Sequence, residues 1–534
     1  MKHWVCLWLG LWSMCLWAQD IEHNWNKIKT VQKVSLPAIE QAMHYQGSLS
    51  FSGLPEGEIE LWWQDENHRH ERLLKTQQRE VAIYWTMPPQ AKSLYLKSSK
   101  PQAIDACLSL KAYPIKAFEQ ACENDEPQSM VLQQLHQKLQ QAQTHQRVGI
   151  LKDFAQLLSE QGTPMVEHLN AHTMRLIYVW LGANNNVRLI GGPSNDHDWL
   201  QRLPNSGVWY KEYVVNRQYE GSYVFAVDTP RLQDASDGCI RQQTPESRVQ
   251  RLAILGHLQL DPYNPHRLMG NHDGFQRNEN VFSLRQKPNH THAALQSVPS
   301  QIFHSQILNN ERRISWYVPK GIGSEQTLPT LVFLDGEHYT ETLNIPQQLD
   351  AWIASGRIQP VQAVFIHNPS AKARHQELLP NEAYVKMMQT ELLPWLNQQS
   401  LWLDPKQTAI VGSSYGGLAA ANLGLQLPQY FSHVISLSGS FWWQQNQEQN
   451  TLFLLQQIEN QKSLPSLQWF LSANTYETAR DGQGILESNQ AVAMSLHNKG
   501  QAVHFKQYEG GHSYWVWQQA LEEAVVMFFA QSFK

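Results

Sequence analysis

Thr408-Ala409-Ile410-Val411-Gly412-Ser413-Ser414-Tyr415-Gly416-Gly417 runs from an apolar strand into G-x-S-x-G and on directly into a helix. A serine at so abrupt a strand-to-helix turn must adopt strained backbone angles. The glycines two residues before and after it let strand and helix pass closely. Ser414, not Ser413, occupies the centre of the motif, and Ala419, Ala420 and Ala421 keep the following helix slim. The bare pattern also arises by chance. Its strand–turn–helix setting is what gives it meaning, because the helix N-terminus favours a developing anion.

Outward from this point the same rhythm repeats. LPTLVFLDG (328–336), VQAVFIHN (361–368), HVISLSG (433–439), LQWFLSAN (467–474) and VHFKQYEGG (503–511) are apolar strands, with helical stretches such as 382–396 and 485–500 between them. Alternating strands and helices across 299–534 predict a mostly parallel sheet with helices on both faces. Upstream the text changes. GSLSFSG (47–53), EIELWWQ (58–64), REVAIYW (79–85), KSLYLKS (92–98) and ACLSLKA (106–112) alternate with period two, so 19–117 is expected to form a β-sandwich-like extension. Residues 118–165 carry apolar positions at helical spacing and read as a helical connector. MRLIYVWLG (174–182), GVWYKEYVV (207–215) and GSYVFAVDT (221–229) make 166–298 a second sandwich-like domain. The fold class is therefore multi-domain, with two β-sandwich-like domains before a C-terminal α/β domain.

The chain has 534 residues, is 42% hydrophobic and 17% charged, and carries a net charge of -5. Cores can form, and no basic field exists to hold nucleic acid. Twenty tryptophans are many, and each needs a core or a flat ligand. Residues 1–18 join a short basic start to an apolar run ending at Ala18, which reads as a signal peptide and implies a periplasmic protein. No later stretch reaches the ~18–20 apolar residues of a transmembrane segment. Cys6 and Cys15 leave with the signal. In an oxidising compartment Cys107 and Cys122 are the natural disulfide pair, with both reduced and buried as the alternative, and Cys239 stays over. No cysteines stand at zinc-site spacing, so neither a metal nor a cofactor is expected.

A serine hydroxyl needs a base. Gly510-Gly511-His512-Ser513 supplies one, 98 residues after Ser414, between the last strand and the final helix. The other histidines, including the pairs His68/His70 and His290/His292, read as solvated or structural. The acid belongs on the loop after LQWFLSAN, where Glu477 comes first and Asp481 competes. An oxyanion hole takes two backbone amides: Tyr415, after the nucleophile, and Gly336 or Glu337, after LVFLDG.

The C-terminal part resembles the enterochelin (enterobactin) esterases, within the esterase D-like α/β-hydrolases. The matching text is Leu334-Asp335-Gly336, Arg374-His375-Gln376-Glu377-Leu378-Leu379, Asn381, Glu391-Leu392-Leu393-Pro394, the serine motif, Ser436-Leu437-Ser438-Gly439-Ser440-Phe441-Trp442-Trp443, Gly510-Gly511-His512 and Trp517. The middle segment also looks like that family's N-terminal sandwich, through 207–215, 220–229 and Leu260-Asp261-Pro262-Tyr263-Asn264-Pro265. The resemblance covers about 170–534. It leaves 19–165 unmatched, and His338 and Asn368 stand where an aromatic and an acidic residue are expected.

The resemblance implies hydrolysis of the ester bonds of a catecholate trilactone siderophore such as ferric enterobactin. Trp442 and Trp443 are then candidates to stack on catecholates, or else core packing. Arg374 is a candidate to face the anionic complex, or else a partner of Glu377. Two rivals stand beside this reading. One is an exported feruloyl or acetyl esterase, with Trp62 and Trp63 on a carbohydrate-binding surface, although adjacent strand residues face opposite sides. The other is a non-catalytic ligand-binding protein on a hydrolase fold.

Overall fold

The structure is a computed structural model. It describes residues 20–531 except 37–40, 57, 65–68, 76–78, 117–125, 195, 205, 233–246, 269–277, 286–294, 323–326, 400, 402, 446–450 and 480–483. The expected signal peptide at 1–18, Cys122, Cys239 and Asp481 lie outside the described residues.

The first region pairs two antiparallel four-stranded sheets. One holds Ile21–Trp25, Ala106–Pro114, Met43–Phe51 and Glu80–Met87, and the other Val31–Ser35, Ser93–Ser98, Glu58–Gln64 and Arg69–Lys75. Period-two alternation sends Leu49, Ile83 and Leu108 of one sheet and Leu61, Leu94 and Leu96 of the other into a single core. The same alternation parts the adjacent tryptophans. Trp63 joins that core, whereas Trp62 points the other way and stacks on Tyr95 at 5.1 Å. Trp62 is only 7% exposed, so it offers no open platform to a sugar. Cys107 lies half-buried on Ala106–Pro114.

Helices Met130–Gln141 and Thr144–Gln161 bury Leu132, Leu135, Leu139, Phe154 and Leu158. Their apolar stripe packs on Ile177, Val179, Val208 and Tyr210 of the next sheet, so they cover that sheet as well as linking the regions. This second β-rich region has two antiparallel sheets. Thr173–Leu181 and Val208–Asn216 anchor one, and Val187–Gly191, Glu220–Val227 and Glu279–Ser283 the other. Tyr178, Trp209, Tyr223 and Phe225 fill the space between them.

The C-terminal sheet has eight strands: β1 (Ser300–Ser305), β2 (Asn310–Tyr317), β3 (Thr330–Leu334), β4 (Gln362–Ile366), β5 (Thr408–Ser413), β6 (His433–Leu437), β7 (Gln468–Asn474) and β8 (Ala502–Tyr508). Their order is β1-β2-β4-β3-β5-β6-β7-β8. The β1–β2 and β2–β4 pairs are antiparallel and the rest parallel. Strands buried on both faces feed two cores by alternation. Val332, Leu334, Ile410 and Val434 face one layer of helices, while Leu331, Phe333, Val411 and Ile435 face the other. A parallel sheet places the carboxyl ends of β3, β5, β6, β7 and β8 along one rim, where the candidate site lies.

Candidate active site

β5 ends at Ser413, and Ser414 takes φ 56° and ψ -121° before helix Tyr415–Gln426 begins. The turn leaves no room for side chains. A Cβ on Gly412 would stand 2.1 Å from the Gly416 carbonyl oxygen, and one on Gly417 would stand 2.9 Å from Gly439 Cα. The strained backbone is held from both sides, since Ser414 N donates to Leu437 O at 3.0 Å and Ser440 N to Ser414 O at 3.0 Å.

The loops after β7 and β8 bring two more groups to this serine. His512 Nε2 lies 3.0 Å from Ser414 Oγ, and His512 Nδ1 lies 2.6 Å from Glu477 Oε1. A carboxylate on Nδ1 keeps the proton there, so Nε2 accepts from the serine hydroxyl. Glu477 is buried, yet its second oxygen is satisfied. Ser438 Oγ donates to it at 2.8 Å and Asn474 N at 2.7 Å. Trp517 Nε1 donates to Ser438 Oγ at 2.8 Å, and the Trp517 ring meets His512 edge-on at 4.7 Å. Asn474 Nδ2 reaches Gly511 O at 2.8 Å, tying the acid's loop to the histidine's. Ser438 and Asn474 complete this network, although neither stood out in the sequence as a member of the site. The signal available was position, since Ser438 directly follows β6 and Asn474 ends β7.

Tyr415 N–H opens its helix and has no intrahelical acceptor, which suits an oxyanion. Gly336 follows Asp335, itself at φ 56°, and is hemmed in, since a Cβ there would lie 2.8 Å from the Phe365 carbonyl carbon. The alternative, Glu337, has its side chain turned to Asn368, accepting from Asn368 Nδ2 at 2.7 Å and Asn368 N at 3.0 Å. Asn368 Nδ2 also donates to Asp335 at 2.6 Å. The amide thus sits between two buried carboxylates, where a third acid would add repulsion.

Arg374 does not pair with Glu377. Its guanidinium grips the buried Asp335 through two bonds of 2.7 and 2.8 Å and lies 5.7 Å from the Tyr415 ring centre. Burial disfavours the Arg374 charge, but Asp335 more than offsets this and raises its pKa. Glu377 instead takes Arg312 at 2.8 Å and Asn310 at 2.6 Å. The two adjacent tryptophans also separate. Trp442 is 38% exposed and tilts toward Tyr415, with ring centres 6.4 Å apart. Trp443 packs against the core, edge-on to Phe453 at 5.6 Å. His338 stacks on Tyr514 at 4.6 Å, and His375 meets the Tyr415 ring at 5.7 Å. Among the described residues no cluster of metal-binding side chains occurs.

The family described as "Putative esterase" matches residues 305–528, and "Enterochelin esterase, N-terminal" matches 170–293. The chain belongs to the enterochelin esterase family. Its members are carboxylic-ester hydrolases, and so is this chain. It is 28% identical over 404 residues to an iron(III) enterobactin esterase of Dickeya dadantii, covering 68% of this chain and 90% of that protein. It is 27% identical to one of Escherichia coli over 61% of this chain and 80% of that one. A Shigella flexneri enterobactin esterase, solved in the presence of enterobactin, shares the fold at TM-score 0.56 and 24% identity, covering 69% of this chain and 96% of that one. Residues 1–169 precede both matched family segments. Among the described residues no helix is long and apolar enough to cross a membrane.

Proposed function

We propose that this enterochelin esterase family member is an exported serine esterase that opens the ester bonds of a catecholate trilactone siderophore of the enterobactin type and so releases its iron. The observation that carries this is the continuous Glu477–His512–Ser414 relay on a strand–turn–helix elbow. Ser414 Oγ attacks a lactone carbonyl while His512 Nε2 takes its proton. The tetrahedral oxyanion rests on the amides of Tyr415 and Gly336, and Glu477 stabilises the imidazolium. His512 then returns the proton to the leaving serine alkoxide of the substrate, and water releases the acyl-enzyme by the same steps. Of the candidate substrate contacts, exposed Trp442 is the one retained for stacking on a catecholate ring. Arg374 is read as the residue that keeps Asp335 compact beside the Tyr415 ring. Export rests on the signal-like residues 1–18, and the mature chain divides into 19–117, 118–165, 166–298 and 299–534.

The test offers the purified protein iron-loaded and iron-free enterobactin beside a feruloyl ester, with Ser414→Ala as control. Linear dihydroxybenzoylserine products that vanish in the control are expected. Turnover of the feruloyl ester alone would overturn the substrate reading, and binding without turnover would overturn the enzymatic one.

A further inference from the structure

Glu477 and His512 sit on loops of the α/β region, yet the residue next to each is fastened to a different part of the chain. Tyr476 precedes the acid. Its hydroxyl accepts Asn216 N–H at 3.2 Å, and its ring meets the buried Tyr219 edge-on at 5.3 Å. Ser513 follows the histidine. Its hydroxyl caps the final helix by accepting Trp515 N at 3.1 Å and donates to Ser222 Oγ at 2.8 Å. Ser222 Oγ in turn donates to Glu279 Oε2 at 2.6 Å, which fixes the direction of that chain of hydroxyls. Between these two points Glu220 N donates to Glu509 O at 2.8 Å, and Glu220 forms a parallel bridge with Gly510. The approach demands glycine, because a Cβ on Gly510 would lie 2.8 Å from Glu220 O. Gly510 O also accepts Tyr476 N at 3.1 Å, so the two loops and the foreign strand form one connected unit.

We infer that the segment Asn216–Ser222 of the second β-rich region is a positioning element for the reaction, setting from outside the α/β fold the distance between the acid and base loops. This rests on the assignment of Glu477 and His512 to the proton relay. Ser414 is held by neighbours within the α/β region, Leu437 at the end of β6 and Ser440 in the loop after it, so the nucleophile and its base take their positions from different parts of the molecule. Proton transfer across 3.0 Å is sensitive to such a junction. A displacement of about 1 Å costs on the order of 10²-fold in rate.

The experiment uses the full chain and a small chromogenic ester, p-nitrophenyl butyrate, which does not depend on the siderophore assignment. Tyr476→Ala is expected to lower kcat by about 10²-fold and to leave KM within about twofold. Tyr476→Phe keeps the ring and loses one hydrogen bond, so a drop of about fivefold is expected, as for Ser222→Ala. A Glu477 drawn back from His512 stabilises the imidazolium less, so the acid limb of kcat/KM moves to lower pH in Tyr476→Ala. The rate of Ser414 labelling by a fluorophosphonate should fall in parallel. A folded Tyr476→Ala with wild-type kcat and an unmoved acid limb would overturn the proposal. Where Tyr476→Ala fails to fold, full kcat in both Tyr476→Phe and Ser222→Ala would do the same. Activity surviving in Ser414→Ala would instead overturn the relay assignment itself.

Discussion

Glu477 shows how much a single side chain is asked to do. It is buried, orients His512 through one oxygen and accepts two bonds through the other. Glu477→Gln preserves the shape but presents an amide that favours the wrong imidazole tautomer. A loss in kcat of about 10⁴-fold is expected, read by steady-state assay beside an unchanged circular dichroism spectrum. Arg374→Met tests a structural role. It leaves Asp335 buried with Asn368 as its one remaining side-chain donor among the described residues, and urea unfolding should report a loss of about 3–5 kcal/mol. That Ser414, His512 and Glu477 meet was legible because each follows a different strand of one parallel sheet, and such strands end on a common rim. The partner of Arg374 was not. Three residues on along its helix, Glu377 has the spacing of a helical pair, but Arg312 on β2 claims it through tertiary contact.

At the level of elements, the β5 elbow depends on two backbones touching. Gly412→Ala drives a methyl into the Gly416 carbonyl and has no soft neighbour to move. We expect a loss of about 1–3 kcal/mol in urea unfolding, with activity falling further than stability because Ser414 shifts with the turn. The strands and helices of the α/β region were readable from apolar runs and their punctuation. The helices of 130–161 were readable as amphipathic, but periodicity says only that a face is buried, not against what. Ile177, Val179 and Tyr210, which share a core with Leu135 and Phe154, come later in the chain and carry no mark of it.

On the scale of the whole molecule, the first region meets the second through a one-way chain of hydrogen bonds. Gln46 Nε2 donates to Val249 O at 2.6 Å and to His44 Nε2 at 2.9 Å. His44 Nδ1 donates to Thr86 Oγ1 at 3.1 Å, Thr86 Oγ1 to His257 Nε2 at 2.9 Å, and His257 Nδ1 to Val227 O at 3.2 Å. Every ring nitrogen is used in a neutral imidazole. Burial pulls the pKa of His44 down to about 3 and lowers that of His257, and burial brings His433 on β6 to about 4. The unfolded chain protonates such groups near 6.5, so the stability they give is whole above that pH and drains as pH falls through 5 toward 3. Urea unfolding between pH 7 and 5 should show this loss. His44→Gln should flatten the slope by up to about 1.4 kcal/mol per pH unit, because one fewer proton is taken up on unfolding. No sequence pattern announces the chain, since its members are scattered from residue 44 to 257.

The bridge between Glu220 and Gly510 has a consequence for heredity. A recombination crossover anywhere in the roughly 290 residues separating them joins a strand from one parent to a histidine loop from another. The first region, outside that interval, can be exchanged without parting them. Shuffled libraries of related genes should therefore keep their active chimaeras where residues 216–222 and 476–513 descend from the same ancestor.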